Sequence, residues 1–169
     1  MERALIIGHT GQDGQILWNQ LAVRHFAIVG ISRNAMRRHG TDCALPDSLE
    51  TSVMVAFLRD FAPQQVYYLA AHHQSSQDAD NGALAELSWR VNVVEFGRVL
   101  AAVDAGSPGA HVFYASSSRI FGETADYPQT EQTRHQPICI YGVTKASAML
   151  LADFWRRTRG LRVSCGVLY

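Results

Sequence analysis

Tyr141 and Lys145 stand four residues apart in an amphipathic stretch. On a helix they share one face. An ammonium close to a phenol favours the phenolate and lowers the tyrosine pKa, and a lysine there can also hold ribose hydroxyls. Ser117 follows a short apolar run, His111 to Ala115, and its hydroxyl can bond a substrate oxygen that gains or loses a proton. Tyrosine as acid/base, lysine as tuner and serine as orienter make a working set for hydride transfer at a carbinol carbon. The Tyr-x-x-x-Lys spacing alone is common in helices, so its weight comes from the motifs around it. Ser116 to Ser118 lacks the Gly-x-Ser-x-Gly elbow of a hydrolase.

A second group of residues is suited to binding phosphate. Gly8, Gly11 and Gly14 recur every third residue in GHTGQDG, with Thr10, Gln12 and Asp13 between them. The loop lies between an apolar run, Ala4 to Ile7, and a helically spaced stretch, Gln12 to Arg24. Glycines there allow a tight turn, close backbone approach to a diphosphate and a helix N-terminus aimed at it. A plain strand-to-helix turn is the competing reading, weakened by the position at the first βα junction. After the next apolar run, Phe26 to Ile31, no Asp or Glu occurs up to Gly40, but Arg33, Arg37 and Arg38 do. A carboxylate at this place holds a ribose 2′-hydroxyl, whereas a guanidinium suits a 2′-phosphate. The expected cofactor is therefore NADP, with NAD as the alternative. A solvated basic loop competes evenly for Arg37 and Arg38, and less for Arg33.

These residues need a frame, and the chain alternates short apolar runs with longer helical patterns. Further strands are expected at Gln65 to Ala71, His111 to Ala115 and Leu161 to Leu168. Helices are expected at Ser48 to Phe61, Ala83 to Ala105 and Tyr141 to Arg159, the last with Gly160 as its C-cap. Asn34 to Asp42 reads as loop, Gln74 to Gly82 as a polar loop, and Ser116 to Ile140 as a long irregular segment of the kind that carries function. The fold class is α/β, a doubly wound parallel (Rossmann) sheet that ends after a sixth strand. Every motif then falls at the carboxyl end of a strand, where such sheets bind ligands.

Composition narrows the classes. The chain has 169 residues, 47% apolar and 18% charged, with 15 basic and 15 acidic residues. That is a single folded domain over 1–169 without the excess charge of a nucleic-acid binder. Cys43, Cys139 and Cys165 form no metal pattern and fit a reducing compartment. No apolar run approaches the length of a membrane span, and the N-terminus reads as a strand rather than a leader. A soluble cytoplasmic protein with neither nucleic-acid nor membrane partners is expected. His72 and His73 are adjacent on extended backbone and lack acidic or thiol partners, so lining the cleft is favoured over holding a metal. Trp89, Phe96, Val99 and Leu100 read as core or as an interface between copies.

GHTGQDG at Gly8–Gly14, YLAA at Tyr68–Ala71, Asn92, YASSSRIFG at Tyr114–Gly122, PQTE at Pro128–Glu131 and YGVTK at Tyr141–Lys145 together resemble the extended short-chain dehydrogenases/reductases that act on nucleotide sugars. The nearest likeness is to the GDP-mannose 4,6-dehydratase family. The resemblance implies Ser117, Tyr141 and Lys145 as the catalytic set, and Gly8, Thr10, Gly11, Gln12, Asp13 and Gly14 as the phosphate loop. It implies Arg33 at the 2′-phosphate, Leu69, Ala70 and Ala71 along the cofactor, and Asn92 bonding backbone and water behind the lysine. A nucleotide-sugar substrate is implied, as is a homodimer or higher oligomer pairing the Ala83–Ala105 and Tyr141–Arg159 helices. Such enzymes oxidise the sugar at C4, eliminate water across C5 and C6 and return the hydride to C6. Two departures stand out. The glutamate used in elimination is replaced by Arg119, and a guanidinium is not a base; Glu123 is the nearest substitute, and a 4-epimerase or reductase is the alternative. The usual aspartate near the adenine is replaced by Ala44, with Asp42 and Asp47 close by. Relatives run on well past Tyr169, which implies apolar surface that further chain would cover, and weak or no activity for this segment alone. A non-catalytic NADP-binding module is the third reading, and the intact Ser117, Tyr141 and Lys145 argue against it.

Overall fold

The computed structural model describes residues 1–72 and 82–169. The strands are β1 (Arg3–Ile7), β2 (Ala27–Ser32), β3 (Ala35–His39), β4 (Gln65–Tyr68), β5 (His111–Ser117) and β6 (Arg162–Leu168). They form one sheet in the order β3-β2-β1-β4-β5-β6. All neighbours are parallel except the β2–β3 pair at the edge. The helices are α1 (Gln12–Val23), α2 (Thr51–Phe61), α3 (Gly82–Trp89), α4 (Glu95–Gly106) and α5 (Ile140–Arg159). The sequence-based reading of a doubly wound α/β sheet holds. The chain reverses direction across the sheet between β1 and β4, where such folds open a crevice.

Strand alternation sorts the core. Leu5 and Ile7 of β1 face a large cluster with Met54, Phe57 and Leu58 of α2, Phe96, Val99 and Leu100 of α4, and Ala148 and Ala152 of α5. Ala4 and Ile6 face the other way, onto Trp18 and Leu21 of α1. Each fully buried large side chain there contributes roughly 1.5–3 kcal/mol. Among the described residues no helix is long and apolar enough to cross a membrane.

Two elements differ from the sequence reading. Asn34 to Asp42 is not wholly loop: Ala35–His39 forms β3, antiparallel to β2, with Ser32 opposite Ala35 across a two-residue turn. Three of its five residues, Arg37, Arg38 and His39, are polar, and all but Met36 are exposed, so no apolar period marks it. An edge strand needs only main-chain partners on one side, and arginines there discourage further pairing. The Ala83–Ala105 helix is also not uniform. A π turn, Arg90–Val94, separates α3 from α4. The hydroxyls of Tyr68 and Tyr114 donate to the carbonyls of Val91 and Asn92 in that turn. Widened turns of this kind are frequent at functional sites, and Asn92 at its centre is fully buried. His73 and nearly all of the expected Gln74–Gly82 loop lie outside the described residues.

Candidate functional site

The glycine loop joins β1 to α1, and its three glycines do different jobs. Gly8 has φ +96°, and a Cβ there would lie 2.6 Å from the Ala70 nitrogen. A Cβ on Gly14 would lie 2.3 Å from the Gly8 carbonyl oxygen. Both positions need glycine for the chain's own packing. Gly11 is different: a Cβ there meets only the Gly8 oxygen, at 3.4 Å, and its backbone is ordinary extended N-cap geometry. Nothing within the chain requires glycine at position 11. Gly14→Ala is expected to lower the melting temperature sharply, whereas Gly11→Ala leaves it within about a degree. Equal losses in thermal unfolding would contradict this division. Gln15 holds the loop by donating from Nε2 to the Thr10 carbonyl at 2.7 Å, a role with no signal in the sequence. Gln12 and Asp13 are exposed in the first turn of α1.

His9 fills the space beneath the loop. It is 3% exposed, packs against Gly30, which has no side chain to block it, and lies 5.9 Å from the Trp18 ring. Burial pulls its imidazole below the ordinary value, a hydrogen bond to the Ile31 main chain opposes this, and the Arg37 charge adds to the lowering. The unfolded chain therefore takes up the proton first, and stability falls as pH drops below about 6.5. Melting temperatures at pH 7.5 and 5.5 should show a loss that His9→Phe reduces; an unchanged slope in that variant would contradict the assignment.

A groove of about 860 Å³ opens beside the loop. Gly8, Thr10, Gly11, Arg33, Leu69, Ala70 and Ala71 line it, so seven of the expected binding residues share one wall system, while Gln12, Asp13, Gly14, Tyr141 and Lys145 stand outside its lining. The three arginines separate. Arg33 lines the groove. Arg37 stacks over Trp18 at 3.6 Å, and Arg38 donates to the Cys43 carbonyl at 2.8 Å. Asp47 lines the groove, and Ala44 and Asp42 do not. Arg90, Glu95 and Arg98 also line it, with Arg98 bonded to Glu95 at 3.0 Å. These three went unnoticed in the sequence because helical periodicity does not show which face looks into a crevice.

Farther along the same carboxyl edge of the sheet, β5 delivers Ser117 and the first turn of α5 delivers Tyr141, with the Ser117 side chain set against the phenol. Gly142 allows this approach: a Cβ there would lie 2.4 Å from the Arg119 carbonyl oxygen. Burial pushes the Tyr141 phenol above its ordinary value, and the Ser117 bond pulls it back only in part. The lowering expected from Lys145 is not found: the phenol is raised, with burial the largest cause and Ser117 the group that opposes it. Lys145 is 1% exposed. Its Nζ donates to the Ala115 carbonyl at 2.6 Å and lies 5.6 Å from the Tyr141 ring centre. Burial brings the ammonium down to about 8.

Asn92 ties the two regions together. Its Oδ1 accepts from the His72 nitrogen at 3.0 Å, and its Nδ2 donates to the His72 carbonyl and to Thr144 Oγ1. Thr144 in turn donates to the Tyr141 carbonyl at 2.8 Å. The groove wall after β4 and the tyrosine turn of α5 are therefore fixed to one buried amide. Thr144 had no motif to mark it. Among the described residues no group of three His, Cys, Asp or Glu side chains could hold a metal.

The family described as GDP-mannose 4,6 dehydratase matches residues 5–169. A GDP-mannose 4,6 dehydratase of Homo sapiens is 29% identical over 190 residues, covering 98% of this chain and 49% of that protein. One of Drosophila melanogaster is 28% identical, covering 98% and 46%. The chain thus spans about half the length of these relatives. Among solved structures, UDP-glucose 4-epimerase from Brucella ovis in complex with NAD superposes with a TM-score of 0.79 at 24% identity, over 98% of this chain and 51% of that one. RMD from Pseudomonas aeruginosa complexed with NADPH gives 0.75 at 22%, over 99% and 52%. With a family match over nearly its whole length, the chain belongs to the GDP-mannose 4,6-dehydratase family.

Proposed function

We propose that this chain is the cofactor-binding and hydride-transfer portion of an NADP-dependent enzyme acting at C4 of a nucleotide sugar, a 4,6-dehydratase in its leading reading. The carrying observation is the juxtaposition of Ser117 and Tyr141, fixed through Thr144 and Asn92 to the wall of the glycine-loop groove. Two features support a dinucleotide in the groove: the space beside Gly11 would admit a diphosphate, and Arg33 in the lining would suit a 2′-phosphate. Solved relatives in complex with NAD and NADPH support a nicotinamide cofactor. The Gly8–Gly14 loop would hold its diphosphate, Leu69–Ala71 its flank and Lys145 its ribose hydroxyls. When bound, the nicotinamide supplies the hydride acceptor.

The chain's own residues handle the proton. Tyr141 takes it from the C4 hydroxyl at Oη as the hydrogen on C4 departs. Ser117 orients the same oxygen, and the Lys145 ammonium favours the developing phenolate. A second reading, 4-epimerase or reductase, is favoured by Arg119, because a guanidinium cannot remove the C5 proton.

GDP-mannose labelled with deuterium at C4, incubated with NADP, tests the reading. Loss or migration of the label is expected, with a 4-keto-6-deoxy product if water is eliminated and a 4-keto or C4-inverted sugar if it is not. Sugar recovered with label and configuration untouched would contradict it. Association through α5 and the α3–α4 segment is also proposed. Leu150 and Phe154 are 70% and 52% exposed on α5, and Val94 is 48% exposed facing solvent; a second copy would cover them. Light scattering should give at least twice the chain mass, and a single-copy mass would contradict this.

A further inference from the structure

A second pocket, of about 350 Å³, opens beside the Ser117–Tyr141 pair. Ser118, Arg119, Gly122, Glu123, Gln129, Ile138 and Tyr169 line it. Arg119 donates from its main-chain nitrogen to Ser117 Oγ at 3.3 Å. Its side chain is exposed, and its guanidinium enters none of the ion pairs among the described residues. Glu123 shares the pocket without coming within ion-pair distance of it. Gln129 is oriented as well: the Tyr169 hydroxyl donates to its Oε1 at 2.9 Å, which turns the amide nitrogen into the remaining donor. The pocket thus offers a guanidinium fork, an amide N–H and the Ser118 hydroxyl, with the Glu123 carboxylate as the one acidic group in its lining.

We propose that this pocket receives a carboxylate at C6 of the sugar, so that the preferred substrates are nucleotide hexuronates. The inference rests on the C4 reading above and favours its epimerase or reductase form. In a hexopyranose C6 hangs on C5, next to C4. A sugar whose C4 oxygen sits between Ser117 and Tyr141 therefore turns its C6 group toward the residues that follow Ser117. A planar carboxylate matches an arginine fork with two parallel hydrogen bonds. A neutral hydroxymethyl group leaves that fork unmatched.

The test is calorimetric titration of the protein, with and without NADP, using two matched pairs: UDP-glucose with UDP-glucuronate, and GDP-mannose with GDP-mannuronate. In at least one pair the acid is expected to bind about 10-fold tighter or more, the range for a charge-assisted pair. Arg119→Glu should abolish or invert that preference, and Arg119→Lys should keep part of it. The proposal is overturned if the neutral sugar binds as tightly as the acid in both pairs, if the preference survives Arg119→Glu, or if none of the four binds. Failure of NADP to bind strikes the C4 reading instead, since the acid preference is read separately in the titrations without it.

Discussion

Tyr141→Phe is expected to lower turnover by roughly 10²–10⁴-fold, the range for a positioned general acid or base, while NADP affinity stays within a few-fold. The variant removes one oxygen and keeps the ring. Tyr141 is buried, with Ser117 set against its phenol. The missing hydroxyl therefore removes the proton acceptor without opening the helix turn that Thr144 holds through the Tyr141 carbonyl. The pH profile gives a second check. Oxidation needs the phenolate, and burial pushes the phenol up, so the oxidation rate should rise toward alkaline pH. Ser117→Ala removes the bond that pulls the phenol down and should move that rise to higher pH. Steady-state kinetics with a cofactor titration decide the matter. Retained turnover in Tyr141→Phe means that another group moves the proton.

Lys145→Met is expected to stabilise the fold while abolishing activity. The ammonium is fully enclosed, and its burial brings it from 10.5 to about 8. A shift of that size corresponds to about 3 kcal/mol held against the folded state. Methionine follows the same path without the charge, though the Ala115 carbonyl loses the donor it has at 2.6 Å, at a cost of about 1 kcal/mol. The net gain is roughly 2 kcal/mol, or about 4–8 °C in melting temperature for a domain of this size. The sign with pH follows from linkage. The folded value lies below the unfolded one, so the penalty is complete below about pH 8 and fades as pH rises toward 10.5. Wild-type stability should therefore recover across that window relative to Lys145→Met. A variant less stable than wild type at pH 7 would show that the lysine is a structural anchor and not a group retained for chemistry at a cost in stability.

The parts of the site that were legible in the sequence are those written in local spacing. Gly8, Gly11 and Gly14 declare a strand-to-helix turn, Tyr141 and Lys145 declare a helix face, and apolar runs mark β1, β2 and β5. Spacing cannot register what depends on a partner distant in sequence. The strand β3 is invisible because it ends in exposed Arg37, Arg38 and His39 and carries no apolar alternation, and its ladder to β2 is a main-chain pairing. The π turn at Arg90–Val94 follows from two tyrosines on β4 and β5 reaching its carbonyls, which no helical period foretells. Arg33, Arg37 and Arg38 look alike in the sequence, and only the Trp18 ring and the Cys43 carbonyl separate the two structural arginines from the one in the groove. The burial that reverses the expected shift at Tyr141 is likewise a property of packing.

One crevice at the carboxyl ends of the strands is proposed to hold a dinucleotide with its 2′-phosphate at Arg33. Fluorescence titration with NADPH and with NADH tests it directly. NADPH should bind at least about 10-fold tighter, as a lost charge-assisted contact implies, and Arg33→Ser should bring the two affinities together. Absence of binding for both, or a preference for NADPH that survives Arg33→Ser, would contradict the account.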